Sequence, residues 1–301
     1  MTVPPYLKRG DTIAICCPAG YMAAEKVNNC ITTLKQEKYH VIVGENVGSS
    51  SKNYFSGTDE ERINELQRFL DDKNIDAILC ARGGYGISRI IDKLCFKKFL
   101  KCPKWIIGFS DVTVLHTYLF SNFKKISLHA SMAAAFNGAE ENDNVKTMLA
   151  ALQCKKALYD IDATILNKIG TAKGKIIGGN LTLFTNGIGT SSNVKTNNCI
   201  LFLEDLDEQL YHIDRMFVQL KRSGKLKKLA GLIIGGFDDL KDTERPFGKT
   251  IYDIVLEQVA EYDYPVCFNF PVSHAEHNLA LKHGMKHTLI VDNAGVVLKE
   301  L

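Results

Sequence analysis

Apolar and polar positions follow a strand-then-helix rhythm along the first half of the chain. TIAICC (12–17) is a continuous apolar run that predicts a strand, and amphipathic spacing over 22–36 predicts a helix after it. YHVIVG (39–44) predicts the second strand, and the polar loop ENVGSSSKNYFSG follows. Thr58, with Glu61 three residues on, makes a capping box that opens a helix over 59–71. IDAILC (75–80) is apolar throughout, as suits a strand covered on both faces. WIIGF (105–109) is a fourth such run, with a helix expected over 111–121. Strands alternating with helices predict a parallel sheet with helices on both faces.

The rhythm weakens over 137–174, which begins with the polar stretch NGAEEND. This break predicts an N-terminal α/β domain over 1–150, a connecting segment over 151–172 and a C-terminal domain over 173–301. In the second half, KIIGGN and CILFLEDL (199–206) lead to an amphipathic helix near 209–223, then to the strand GLIIGGF (231–237). TLIVDNAGVVL (288–298) reads as two strands around a turn at Asn293, Ala294 and Gly295. A smaller, β-rich α+β domain is expected there.

Composition narrows the class. With 301 residues, 46% hydrophobic and 24% charged, the chain has ordinary globular usage. A net charge of +3, evenly spread, is too mild for a nucleic-acid partner. No apolar run approaches the ~18 residues that a membrane-spanning helix needs, and MTVPPYLKRGDTIAICC lacks the order of a signal peptide. Nine cysteines, an odd number without a CxxC pair, read as free thiols in a reducing compartment, so a cytoplasmic location is expected.

Four stretches carry candidate chemistry. In GFSD, an apolar strand runs into Ser110 and Asp111 at a sharp turn before a helix. Such a serine is either a nucleophile lifted above the sheet or a helix cap. Only half of the nucleophile-elbow pattern is present, because Val112 stands where its second glycine would be. In ARGGYG, Arg82, Gly83 and Gly84 follow a buried strand. Its glycines suit a tight turn, a nucleotide cradle or an oxyanion hole of backbone N–H groups. In CILFLEDLDE, Glu204 and Asp205 close a strand, either to orient a histidine or as the acidic start of the next helix. In HAEHNLALKHGMKH, His274, His277, His283 and His287 crowd together, yet no Glu lies between His283 and His287 as in an HExxH metal site. Solvated histidines are the expectation for the last three, whereas His274 follows a strand and suits catalysis. Ser110, Glu204 and His274 occur in the chain order of hydrolases with a nucleophile elbow.

These pieces resemble the serine peptidases that include murein tetrapeptide LD-carboxypeptidase and the microcin C immunity peptidases. The resemblance rests on GTDEER (57–62), ILCARGGYG (78–86), IIGFSDVTVLH (106–116), IIGGNLTLF (176–184), LFLEDLDEQLYHIDRMFVQL (201–220) and FPVSHAEHNLAL (270–281), which span nearly the whole chain. It implies a flavodoxin-like N-terminal domain carrying the nucleophile Ser110, and a C-terminal domain supplying the acid Glu204 and the base His274. The backbone N–H groups of Gly84 and Asp111 match the oxyanion hole. Asn180, in GGN, is a substrate-contact candidate beside Gly83, and Arg82 or Arg215 is a candidate receptor for the substrate carboxylate. The implied reaction removes the terminal D-alanine of a muropeptide tetrapeptide during peptidoglycan recycling, without metal or cofactor. The other reading within the family is an immunity-type peptidase that cleaves peptidyl or aminoacyl nucleotides. A homodimer is also implied, with no nucleic-acid or membrane partner. Two departures stand out: His129-Ala130-Ser131 where relatives often show HGP, and Ala275 after His274 where relatives often have glycine, with Ser273 rather than glycine before it.

Overall fold

The computed structural model describes residues 2–137 and 143–301, so the acidic opening of the polar stretch, 138–142, lies outside the described residues. The predicted strands of the first half appear as β1 (Thr12–Cys16), β2 (His40–Val43), β3 (Ala77–Cys80) and β4 (Trp105–Gly108). They pair in parallel with a short fifth strand, β5 (Ser127–His129), in the order β2-β1-β3-β4-β5. That is the flavodoxin-like order, and its direction reverses between β1 and β3. All residues of β3 and β4 are buried, and each large apolar side chain among them contributes roughly 1.5–3 kcal/mol. A returning strand, Leu281–His283, lies at the sheet edge beside β5.

The helices follow α1 (Asn28–Gln36), α2 (Asp59–Asp71), α3 (Ile87–Ile90), α4 (Lys97–Lys101), α5 (Thr113–Phe123) and α6 (Asp143–Leu152). The capping box predicted for α2 is present, with the Thr58 hydroxyl accepting from Glu61 N–H and the Glu61 carboxylate accepting from Thr58 N–H. Arg62, Glu65, Leu66, Phe69 and Leu70 form its buried stripe, at the spacing of one helix face.

The chain divides into two compact units: Met1–Lys155 with Leu279–Lys282, and Lys156–Asn278 with His283–Leu301. The second unit is built on β6 (Leu158–Asp162), β7 (Gly170–Asn180), α7 (Leu181–Asn186), β8 (Cys199–Leu206), α8 (Leu210–Arg222), β9 (Gly231–Asp238), α9 (Ile251–Val259) and β10 (Val266–Cys267). After the returning strand, β11, come β12 (Lys286–Val291) and β13 (Gly295–Glu300). The sheet order is β10-β9-β8-β7-β12-β13-β6. From β7 to β10 the pairs are parallel, and from β7 through β12 and β13 to β6 they are antiparallel.

This arrangement accounts for the end of the weak pattern over 137–174. β7 pairs through Gly170–Lys175 with antiparallel β12 and through Lys175–Asn180 with parallel β8, so one strand changes from half-exposed to fully buried along its length. The predicted turn between β12 and β13 is present, with the Asp292 carboxylate accepting from the N–H groups of Ala294 and Gly295.

Candidate active site

Ser110 stands where β4 ends, in a left-handed backbone conformation with φ 60°. A non-glycine residue there costs on the order of 1–3 kcal/mol and is held by its surroundings. Gly108, at φ 154°, makes the turn sterically possible, because a Cβ at that position would lie 2.8 Å from Val112 Cγ2. Behind the turn, His116 Nε2–H donates to the Gly108 carbonyl at 2.8 Å, and the Ser127 hydroxyl donates to Nδ1 at 2.8 Å. Burial pulls His116 down to about 4, so it braces the strand end as a neutral imidazole.

The glycine turn after β3 packs directly on this serine. A Cβ at Gly83 would lie 3.0 Å from Ser110 Cβ, 3.2 Å from its Oγ and 3.3 Å from Asp111 N. Three bonds tie the turn down. Gly20 N–H donates to the Gly83 carbonyl at 3.0 Å, Arg62 Nη1 donates to the Gly86 carbonyl at 3.1 Å, and Ile87 N–H donates to Asp111 Oδ2 at 2.8 Å. Asp111 is fully buried, and burial pushes its carboxyl up to about 7 against the Ile87 and Gly86 N–H groups and the Arg62 charge. Its backbone N–H thus sits beside Ser110 while its side chain fixes the neighbouring turn.

In the second unit, Glu204 is fully buried near the end of β8, and its Oε2 lies 2.7 Å from His274 Nδ1. Burial pushes the Glu204 carboxyl up, opposed by the hydrogen bond and charge of His274. Burial pulls His274 down, but the Glu204 hydrogen bond and the charges of Glu204, Asp205 and Asp238 outweigh it and hold the imidazole above its ordinary value. The segment carrying His274 is anchored by Asp238, whose Oδ2 accepts from His274 N–H at 3.2 Å and Ala275 N–H at 3.1 Å. Beside it, Gly235 and Gly236 leave room for Val272 and Ser273 to cross β9 at close range. Asp238 escaped the sequence reading; its one signal is a carboxylate at the end of an apolar strand.

The substrate candidates fall in different settings. Arg82 and Gly83 belong to the turn beside Ser110. Asn180 is almost fully buried: its Oδ1 caps α7 through Leu183 N–H at 3.1 Å, and its Nδ2 donates to Asp205 Oδ1 at 2.7 Å. Arg215 is exposed on α8, 5.6 Å over the Tyr211 ring. The crowded histidines require a correction. His277 is exposed, but His283 and His287 are fully buried rather than solvated, because the segment returns as strands instead of a surface helix. Among the described residues, no group of three or more His, Cys, Asp or Glu side chains is placed to hold a metal ion. Nor is any helix there long and apolar enough to cross a membrane.

Known proteins resemble the chain along most of its length. The LD-carboxypeptidase N-terminal domain matches residues 13–130, and the LD-carboxypeptidase C-terminal domain matches residues 173–289. A probable murein peptide carboxypeptidase of Bacillus subtilis is 30% identical over 290 residues, which cover 94% of this chain and 90% of that protein. The microcin C7 self-immunity protein of Escherichia coli is 23% identical, over 97% of this chain and 94% of its own. A crystal structure of the muramoyltetrapeptide carboxypeptidase from Oxalobacter formigenes superposes with a TM-score of 0.86 at 25% identity, covering 96% of this chain and 98% of that one. On these matches and this fold, the chain belongs to the LD-carboxypeptidase family of peptidases.

Proposed function

We propose that the protein is a serine LD-carboxypeptidase that removes the terminal D-alanine from muropeptide tetrapeptides. The observation that carries this reading is the left-handed Ser110 at the end of β4, packed against the glycine turn. The N-terminal part, 1–150, carries the nucleophile, and the part after the 151–172 connection supplies Glu204 and His274. His274, held in one tautomer by Glu204, takes the Ser110 proton as the hydroxyl attacks the scissile carbonyl. Gly84 and Asp111 N–H groups receive the oxyanion, a role in which one donor is typically worth about 10²–10³ in rate. His274 then protonates the departing amine, and water releases the acyl-enzyme. The reaction needs neither metal nor cofactor. Arg82 receives the substrate carboxylate, with Gly83 lining the approach. Asn180 and Arg215 remain the outlying candidates for substrate contact.

The nine cysteines are all free thiols, which supports a cytoplasmic place in peptidoglycan recycling. The resemblance adds a homodimer. In the immunity-type reading, an aminoacyl nucleotide would need an aromatic platform for its base. The one tryptophan, Trp105, is fully buried in β4 and cannot be that platform, whereas the rings of Tyr54 and Tyr85 are exposed.

Incubation with a tetrapeptide ending in an L-centred diamino acid and D-alanine, with products measured by mass, tests the proposal. Wild type should release D-alanine and Ser110→Ala should not. Full activity in Ser110→Ala would sink the mechanism. A wild type that ignores the tetrapeptide but cuts an aminoacyl nucleotide would favour the immunity-type reading.

A further inference from the structure

In the first unit, the loops after β1, β2 and β3 gather at the carboxyl ends of the strands, where the sheet order reverses. Open α/β sheets place ligands there. Gly20 N–H donates to the Gly83 carbonyl at 3.0 Å, Tyr21 N–H to the Tyr54 carbonyl at 3.0 Å, and Ser56 N–H to the Ala19 carbonyl at 3.1 Å. The three loops are therefore one bonded patch beside Ser110.

Tyr54 is held firmly in that patch yet is 56% exposed. Its ring meets Phe55 edge-on at 5.4 Å, and Phe55 lies beneath the guanidinium groups of Arg62 and Arg89, at 4.7 and 5.6 Å. The Tyr54 hydroxyl stands over Gly84; a Cβ on that glycine would lie 2.7 Å from it. Among the described residues this hydroxyl makes no hydrogen bond. Arg82 reaches the same place from the other side. Its Nη1 donates to the Tyr21 carbonyl at 2.7 Å, and its Nε lies 3.6 Å from where a Cβ on Gly20 would stand. No carboxylate pairs with it among the described residues. An unpaired guanidinium and an unbonded phenol thus flank Gly20 and Gly84. A planar fork and a hydroxyl together suit a carboxylate, which takes two donors on one oxygen pair. Two backbone N–H groups already serve the developing oxyanion, so these donors are left for a different anion of the substrate.

We infer that Tyr54 is a specificity residue that, together with Arg82, receives the free C-terminal carboxylate of the peptide and so makes the enzyme an exopeptidase. This rests on the peptidase reading above. Tyr54→Phe removes only the hydroxyl and leaves the ring against Phe55.

Steady-state hydrolysis of the tetrapeptide free acid and of the same peptide ending in D-alaninamide tests it, with Trp105 emission as the check on folding. For Tyr54→Phe, KM for the acid should rise about ten- to a hundredfold, the worth of one hydrogen bond to a charged group. Its kcat should change little, and the amide should be cut as by wild type. An equal fall in kcat on acid and amide would assign the hydroxyl to the oxyanion and overturn the inference, as would unchanged kinetics on both. Ser110→Ala separates the two readings. An active wild type, an inactive Ser110→Ala and an unaffected Tyr54→Phe overturn the Tyr54 role alone, whereas activity in Ser110→Ala, or a wild type that cuts neither peptide, overturns both.

Discussion

Asp111 does two jobs with one residue: its N–H stands beside Ser110, and its buried carboxylate holds Ile87 N–H at the base of the glycine turn. The second job is costly, and the cost depends on pH. In the folded chain burial keeps this carboxyl protonated up to about pH 7, whereas an unfolded aspartate releases its proton near pH 4. Between those values the folded state binds more protons, so stability falls as pH rises, until the loss is complete above pH 7. An asparagine side chain in its place would not titrate and would keep an amide oxygen for Ile87 N–H. Asp111→Asn should therefore gain on wild type by about 1.4 kcal/mol per unit across that window, reaching a few kcal/mol at about pH 8. Urea unfolding at about pH 5 and about pH 8 measures this. A difference that stays constant with pH would show that the carboxyl is ionised throughout.

Elements explain which residues were legible. Ser110 and Glu204 lie at the ends of β4 and β8, and those ends are marked in the sequence by continuous apolar runs meeting polar residues. β2 was legible from its apolar run, and α2 from the local capping box that fixes the start of the helix. Asp238 was not, because its partners are the N–H groups of His274 and Ala275, 36 and 37 residues further on. Nothing in its own neighbourhood signals that bond. The bond does predict an effect. Removing the carboxylate in Asp238→Ala frees the turn that carries His274, the proposed base, and a displacement near 1 Å can cost ~10²-fold in rate. Asp238→Asn keeps one acceptor and should lose less. It also removes a charge that helps hold His274 up. In the proposed mechanism His274 accepts a proton only when neutral, so the acidic limb of kcat/KM should move to lower pH in both variants. Wild-type kcat/KM in Asp238→Ala, or an unmoved limb, would exclude this positioning role.

At the scale of the molecule, the chain does what no local pattern announces. After building the second unit it returns through Leu279–Lys282 to the first. Leu281 is fully buried there, Ala280 N–H donates to Thr147 Oγ1 at 3.2 Å, and Lys282 Nζ donates to the Lys155 carbonyl at 3.0 Å. The segment NLALKH alternates too briefly to tell strand from loop, so its histidine, His283, reads as surface although it is buried. The chain carries its own reporter for this return, because its one tryptophan, Trp105, is fully buried in β4 of the first unit and donates its indole N–H to the Pro5 carbonyl at 2.8 Å. Leu281→Ala removes a buried side chain from the edge of that sheet, a change worth about 2–5 kcal/mol. Its effect should therefore appear in Trp105 emission, as a denaturation midpoint lowered accordingly, although the substitution lies in the C-terminal quarter of the sequence. If the emission midpoint stayed at the wild-type value while another probe showed the loss, Leu281 would be stabilising the second unit instead, and the return of the chain would not be part of what holds the first unit's sheet together.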